Sequence, residues 1–402
     1  MSPRSTVRSP RLRLLVGLVG LALVASACGR GRLPQDVLSN LDGQPARDVD
    51  RLWDIVFPIA TVIFFLVQGL VLLVVLKFRS RGDDDAPVQV HGNAKMELGW
   101  TIAPALILAV IGVFTVVTVL DINQRADASE VLSINVTGHQ WWWEYEYPQQ
   151  QGIDDAFLTA NELVIPTGRT VQLRLTSADV IHSFWPPKLA GKVDTVPGRT
   201  NYMKVEADTP GDYSGQCAEF CGLSHANMRL RVIALDPDEF DEWAANQQED
   251  AATAPTTTTT SSPATTTTTA ATTTETPTPG TAGATTSTTE APSEEKTPVG
   301  EDPELDQAIG ASLFVSKGCS GCHTIKGLEG ANGRVGPNLT HLHSRSRFAG
   351  ATFELNDRNL RRWLRDPPKM KPMDPANGQG MPNLGLSEDE ISQLIAYLET
   401  LK

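Results

Sequence analysis

The sequence predicts a multidomain chain: a two-helix transmembrane hairpin, an all-β domain, a linker without a core and an all-α domain at the C-terminus. Three observations carry this. Two apolar runs, Ile55 to Leu76 and Leu98 to Leu120, each suffice to cross a bilayer core, which takes roughly 20 residues. From about 130 to 245 the pattern changes to short alternating or β-branched runs broken by Pro-Gly turns. From about 250 to 300 the chain is mostly Thr, Ala, Pro and Glu, too poor in apolar residues to build a core. With 402 residues, 27 Pro, 32 Gly and a net charge of -13, the composition divides into 1–27, 28–52, 53–122, 128–245, 246–302 and 303–402. The acidic balance gives no reason to expect a nucleic-acid partner.

Residues 1–27 begin with Arg4, Arg8, Arg11 and Arg13, continue as an apolar run from Leu14 to Ala25, and end with the small Ser26 and Ala27 before Cys28. This resembles a bacterial lipoprotein signal, in which Cys28 would carry lipid as the mature N-terminus. Ala25 stands where Leu is often found, so ordinary cleavage and retention as an uncleaved span are the alternatives. Residues 28–52 are an outer segment. Residues 53–122 hold both spans. Lys77, Arg79 and Arg81 follow the first span, which places the 78–96 loop in the cytoplasm and everything after 121 outside. Trp53 and Trp100 sit near span ends as interfacial anchors.

In the all-β segment, Val131 to Val136, Glu162 to Ile165, Thr170 to Leu175, Tyr202 to Val205 and Arg229 to Ala234 read as strands. Between them lies the densest chemistry of the chain. Cys217-Ala-Glu219-Phe-Cys221 runs on to His225 and Met228, with His182 upstream. A mononuclear blue-copper centre takes one Cys, two His and a weak axial Met, so a second Cys calls for a second metal. Two thiolates can bridge two copper ions, each keeping one imidazole, with Met228 and a backbone carbonyl near Glu219 as weak donors. A Cys217–Cys221 disulfide and a tetrahedral zinc site are the competing readings. Zinc has no use for Met228, and a disulfide has none for either histidine.

These residues resemble the dinuclear copper (CuA) domain of cytochrome c oxidase subunit II. Gly138-His-Gln-Trp141-Trp-Trp143-Glu-Tyr-Glu-Tyr147-Pro, Lys192-Val-Asp-Thr-Val-Pro-Gly-Arg199 and Gly215 to Gly222 share in the likeness. The resemblance implies a cupredoxin-like Greek-key fold. It also implies that the Glu219 carboxylate helps bind a Mg ion at the subunit I interface. Trp141 matches the exposed indole where electrons from cytochrome c enter the copper pair. Trp142 departs from the Tyr usual in the family and Glu144 from a Ser, and Trp142 reads as packing. Glu97, at the inner end of the second span, suits a helix cap, and in the family marks the mouth of a proton path. Asp179 resembles an acidic docking residue of the family but reads as a solvated surface acid, and His91 and His139 read as structural.

Residues 246–302 read as a tether that lets the next module sweep out a volume near the copper domain. Beyond it, Cys319-Ser-Gly-Cys322-His323 is the C-x-x-C-H pattern of covalent haem c attachment, with His323 as proximal ligand. A helical stretch from Pro303 to Lys317, Gly336-Pro-Asn-Leu339 and an amphipathic helix from Ser387 complete a likeness to class I cytochrome c. Met370, Met373, Met381, His341 and His343 compete for the sixth iron position. Met381 is chosen, because it precedes the final helix as the family pattern places it.

Taken together the chain resembles subunit II of a caa-type oxidase. That likeness implies a relay from haem c through dinuclear copper to the catalytic subunit I, which reduces oxygen to water. The partners implied are oxidase subunits I and III, a cytochrome bc complex or c-type cytochrome donor, and membrane lipids. A copper-bearing subunit of a nitric oxide reductase relative is the alternative. All five cysteines are then placed: Cys28 for lipid, Cys217 and Cys221 for copper, Cys319 and Cys322 for haem.

Overall fold

The computed structural model describes residues 41–79, 92–124, 131–251 and 302–402. The signal, Cys28, His91, most of the cytoplasmic loop and residues 252–301 lie outside them.

The hairpin is α1 (Gln44–Lys77) and α2 (Ala94–Asn123). Both carry lipid-facing apolar side chains along their length and are long and apolar enough to span a membrane. α1 starts 11 residues before the expected span at Ile55, within the segment assigned to 28–52. Its first turns hold Arg47, Asp48, Asp50, Arg51 and Asp54, which no hydropathy pattern marks as membrane helix. They stand outside the bilayer, where Arg47 and the preceding Asp42 dock on the next domain. Asp42 accepts hydrogen bonds from Asp208 N–H (2.7 Å), Thr209 Oγ1 and Tyr213 OH, and Arg47 pairs with Asp208. At the outer end of α2, Lys204 Nζ donates to the Asp121 carbonyl at 3.0 Å.

The outer domain is a sandwich of two five-stranded sheets. Strands β1 (Leu132–His139), β2 (Trp142–Tyr147), β3 (Phe157–Ala160), β5 (Val171–Ser177) and β8 (Asn201–Val205) form one sheet in the order β3-β2-β1-β5-β8. Strands β4 (Glu162–Pro166), β6 (His182–Trp185), β7 (Val193–Thr195), β9 (Gly211–Cys217) and β10 (Arg229–Leu235) form the other, ordered β4-β10-β9-β6-β7. The pairs β1–β5 and β4–β10 are parallel. Period-two burial is clean in β1, where Leu132, Ile134 and Val136 turn inward. On β2, Trp143, Tyr145 and Tyr147 are fully buried, and Trp143 and Tyr145 meet Phe184 edge-on from the facing sheet.

One helix was not anticipated. α3 (Pro237–Gln248) follows β10 and seats Trp243 against Tyr147 at 5.3 Å between ring centroids. Its end overturns the expected reach of the tether, because residues 247–251 already rest on the C-terminal domain. Ala251 N–H donates to the Lys326 carbonyl (3.0 Å), Lys326 Nζ to the Gln248 carbonyl (2.6 Å), and Ala251 is buried in that domain's core.

The C-terminal domain consists of α4 (Pro303–Ser316), α5 (Asp357–Arg365), α6 (Pro367–Met370), α7 (Glu388–Leu398) and a small β11–β12 ribbon (Arg347–Phe348, Phe353–Glu354). Asp302 caps α4 by accepting from Glu304 N–H and Leu305 N–H. Ser387 and Glu390 close a capping box on α7. α4 and α7 cross at Gly310, beside Gln393 and Tyr397, and Phe314, Ile391, Leu394, Ile395 and Leu398 fill the core around them.

Candidate metal centre and haem site

Sheet register brings the copper-type ligands to one end of the sandwich. β6 and β9 are neighbours with Phe184 opposite Cys217, so His182 lies just past Cys217 on the adjoining strand. The Cys217 N–H donates to the Met228 carbonyl at 2.9 Å, which closes the loop from 218 to 227 at its base. Inside it, a 3-10 turn over His225–Asn227 folds the second half back. The two Sγ atoms are 3.7 Å apart, and Cys221 Sγ is 3.6 Å from His225 Nδ1 and 3.8 Å from Met228 Sδ. Cys217 Sγ is 3.2 Å from the Glu219 carbonyl oxygen, while the Glu219 side chain points to solvent. His182, Cys217 and Cys221 present ligand atoms all within 4.8 Å of one another. The cysteines are free rather than joined.

The electrostatics of this cluster call for a cation. The Cys217 thiol is pushed down, foremost by its hydrogen bond with Cys221, and Cys221 is pushed up by the same contact. Stripping the proton from both would leave two anions side by side away from water, which only neighbouring positive charge can sustain. Burial opposes protonation of His182, yet Asp179 and Cys217 outweigh it and raise its pKa. Asp179 Oδ1 holds His182 Nε2 at 2.8 Å, and the other ring nitrogen, Nδ1, is buried without a partner. An oriented imidazole with a free donor atom, two sulfurs, a thioether and a carbonyl fit a copper pair.

Asp179 was misread in the sequence. It accepts from Gln140 N–H (2.7 Å), Val180 N–H (2.6 Å) and the ring of His182, so it orients a ligand. Its spacing, three residues before a candidate histidine, was the available signal. Trp141 also departs from expectation. Rather than an open indole it is 3% exposed, with Nε1 donating to the Cys221 carbonyl at 3.0 Å and its backbone covered by the C-terminal domain. His139 and Trp142 stack at 4.2 Å. Glu97 accepts from Asn93 N–H (3.1 Å) while the Asn93 side chain accepts from Met96 N–H (3.3 Å), a reciprocal helix cap.

The second site is built on the turn after α4. A 3-10 turn over Cys319–Gly321 leads into His323, whose Nδ1 is held by the Pro337 carbonyl at 2.8 Å. That fixes the ring and leaves Nε2 free for iron. The His323 ring lies so close to the Gly336 backbone that a Cβ there would fall 2.5 Å from Cε1, so only glycine fits. Met381 packs at the edge of the helical core, and Trp363 Nε1 donates to its sulfur at 3.1 Å. Two of the rival ligands, His341 and Met373, are engaged elsewhere. His341 Nδ1 is 2.7 Å from the Lys402 carbonyl, and Met373 packs on the copper domain's core. Two thiols in a C-x-x-C-H turn, an oriented imidazole and a thioether fit a haem.

Comparison with known proteins agrees with the hairpin, the outer domain and the C-terminal domain. Residues 43–117 match the family described as cytochrome C oxidase subunit II, transmembrane domain, and residues 155–235 its periplasmic domain. Residues 307–402 match the family described as cytochrome c. The cytochrome c oxidase subunit 2 of Alkalihalophilus pseudofirmus is 33% identical over 350 residues, covering 86% of this chain and 84% of that protein. Its counterpart in Bacillus sp. strain PS3 is 32% identical over 340 residues, covering 81% and 79%. That of Bacillus subtilis is 30% identical over 421 residues, covering 98% and 99%.

Proposed function

Since the chain belongs to the cytochrome c oxidase subunit II family, as an electron-transfer subunit of a haem-copper terminal oxidase with its soluble domains outside the membrane, we propose how its own residues carry that task. His182, Cys217, Cys221, His225, Met228 and the Glu219 carbonyl hold the dinuclear copper centre. Cys319 and Cys322 would bind haem c covalently, and His323 and Met381 would hold its iron. Bound there, the two groups supply one-electron exchange, which needs no proton or bond to move with the charge.

The contribution of the chain is rigidity and order. Two strands and a loop closed at its base fix the copper donors, and Asp179 locks His182, so little can rearrange when charge changes. Pro337 does the same for His323. The observation that carries the reading is the buried cluster of two free thiols 3.7 Å apart with His225 and Met228 in contact.

Exposed Val180, Ile181, Phe220 and Leu223 lie on the two ligand loops and supply the apolar surface for the catalytic subunit. The exposed Glu219 lies on the same loop as Phe220 and Leu223, where a Mg ligand shared with that subunit would stand. Glu97, exposed at the inner end of α2, is the candidate mouth of a proton path, and Cys28 the candidate lipid anchor. Oxidase subunit III and a cytochrome bc complex or c-type cytochrome donor complete the proposed partners. Neither α1 nor α2 contains a histidine, so oxygen reduction belongs to subunit I.

Metal and haem analysis of the full chain should give two coppers and one covalent haem, with a near-infrared band from the copper pair. Cys217→Ser or Cys221→Ser should abolish that band and oxidase turnover while keeping the haem spectrum. Turnover that survives loss of copper refutes the relay.

A further inference from the structure

Two charged side chains outside both binding sites cross the boundary between the copper and haem domains in opposite directions. From the haem domain, Lys371 is 3% exposed, and its Nζ donates to the Trp141 carbonyl (2.7 Å) and the Ala349 carbonyl (3.0 Å). From the copper domain, Glu162 is 6% exposed. Its carboxylate accepts from Ser346 N–H (3.1 Å), Ser346 Oγ (2.5 Å) and Arg347 N–H (3.0 Å), with Arg231 at 3.5 Å behind it.

Backbone contacts join the two points into a seam. Arg229 N–H donates to the Gly350 carbonyl (2.9 Å), Thr352 Oγ1 to the Asn227 carbonyl (2.7 Å) and Ser224 Oγ to the Pro372 carbonyl (2.6 Å). The approach is close enough that a Cβ on Gly350, whose φ is +73, would lie 2.8 Å from the Trp141 carbonyl oxygen. Burying an ammonium or carboxylate is costly unless its hydrogen bonds are made. Here the bonds from Lys371 to the Trp141 carbonyl and from Ser346 and Arg347 to Glu162 are made only when the domains are docked. What the seam holds together bears on function. Gln379, two residues before Met381, reaches Gln140 at 3.5 Å, and Gln140 and Trp141 both donate to the Cys221 carbonyl.

Resting on the function proposed above, we infer that Lys371 and Glu162 form a reciprocal clamp that keeps the haem domain seated on the Trp141 face. Trp141 is thereby a fixed internal contact between the two sites, closed to soluble donors. An external donor delivers its electron to the haem domain, away from this face. Lys371 and Glu162 are positioning residues and touch neither group.

Hydrogen–deuterium exchange on the full chain in detergent reads the clamp without reference to activity. Amides of Arg229, Ser346 and Arg347 are protected together in the unaltered protein. Lys371→Met or Glu162→Gln should speed their exchange roughly tenfold, the effect of leaving a buried partner unmatched, while Leu173 and Val232 in the sandwich core stay unchanged. In the same variants, flash reduction of the haem should be followed by slower copper reduction, and added ferrous cytochrome should reduce copper directly, in proportion to its concentration. Exchange at the three amides unchanged in both variants overturns the clamp. So does direct copper reduction in the unaltered protein as fast as in the variants. A protein with protected amides but no haem-to-copper transfer would instead refute the proposed relay and leave the clamp standing.

Discussion

Replacing Asp179 with Asn tests whether the copper donors are held from behind. The carboxylate serves three groups: the ring of His182 at 2.8 Å, Val180 N–H at 2.6 Å and Gln140 N–H at 2.7 Å. Asn keeps one acceptor oxygen. If that oxygen stays with His182 and Val180, the new amide N–H₂ group faces the Gln140 N–H, donor against donor. A charge-assisted bond becomes a neutral one, a loss of about 1 kcal/mol, and an unmatched amide adds about 1 kcal/mol more. With the Asp179 side chain 31% exposed, water softens the second figure, so about 2 kcal/mol is the upper expectation. That is roughly thirtyfold in copper affinity, within the range for outer-shell partners of metal ligands. Competition with a chelator of known affinity, on the full chain in detergent, measures it. The haem spectrum should not move. Copper affinity within twofold of the unaltered protein would refute the claim that Asp179 orients His182.

The stability of the copper domain should depend on His139. Burial pushes its pKa down to about 4, so between there and the ordinary value near 6.5 only the unfolded chain binds the proton. Stability is therefore level above about pH 6.5 and falls toward pH 4, by at most about 3 kcal/mol. His139→Phe, which keeps the stack on Trp142, should flatten the denaturant midpoint across that window, and equal slopes would contradict this. A protease site placed within 252–301 should, when cut, leave the haem domain bound to the copper domain in size-exclusion chromatography, because the chain on both sides of the cut is anchored to the haem domain. Release of a haem-bearing fragment would show that the docking described here does not hold the two together.

The metal donors were legible because their chemistry is local. Two cysteines, a histidine and a methionine within 12 residues define a loop whatever surrounds it, and the C-x-x-C-H turn does the same for haem. Five of the ten sandwich strands were visible as alternating runs, but Trp142–Tyr147, Phe157–Ala160, His182–Trp185, Val193–Thr195 and Gly211–Cys217 were not singled out; Phe157–Ala160, His182–Trp185 and Val193–Thr195 are too short to show a period, and Gly211–Cys217 is broken by two glycines. α3 carried a readable start, Asp236-Pro-Asp-Glu239, and was overlooked among acidic residues that resemble a linker. What could not be read is what depends on a distant partner. Trp141 is buried by a lysine 230 positions away, and no local pattern announces that. The charged start of α1 is helical because it continues a membrane helix and finds Asp208 to lean on through Arg47.

That charged start sets an altitude. At 34 residues α1 is about 51 Å long, against a hydrocarbon core of about 30 Å, so the surplus rises from the bilayer as a post fastened at its top to the copper domain. Removing one turn below Arg47 would drop the domain by about 5 Å and swing it around the helix axis, misaligning the ligand loops with whatever they face. The stagger between the electron's route and the lipid surface is thus written in helical pitch.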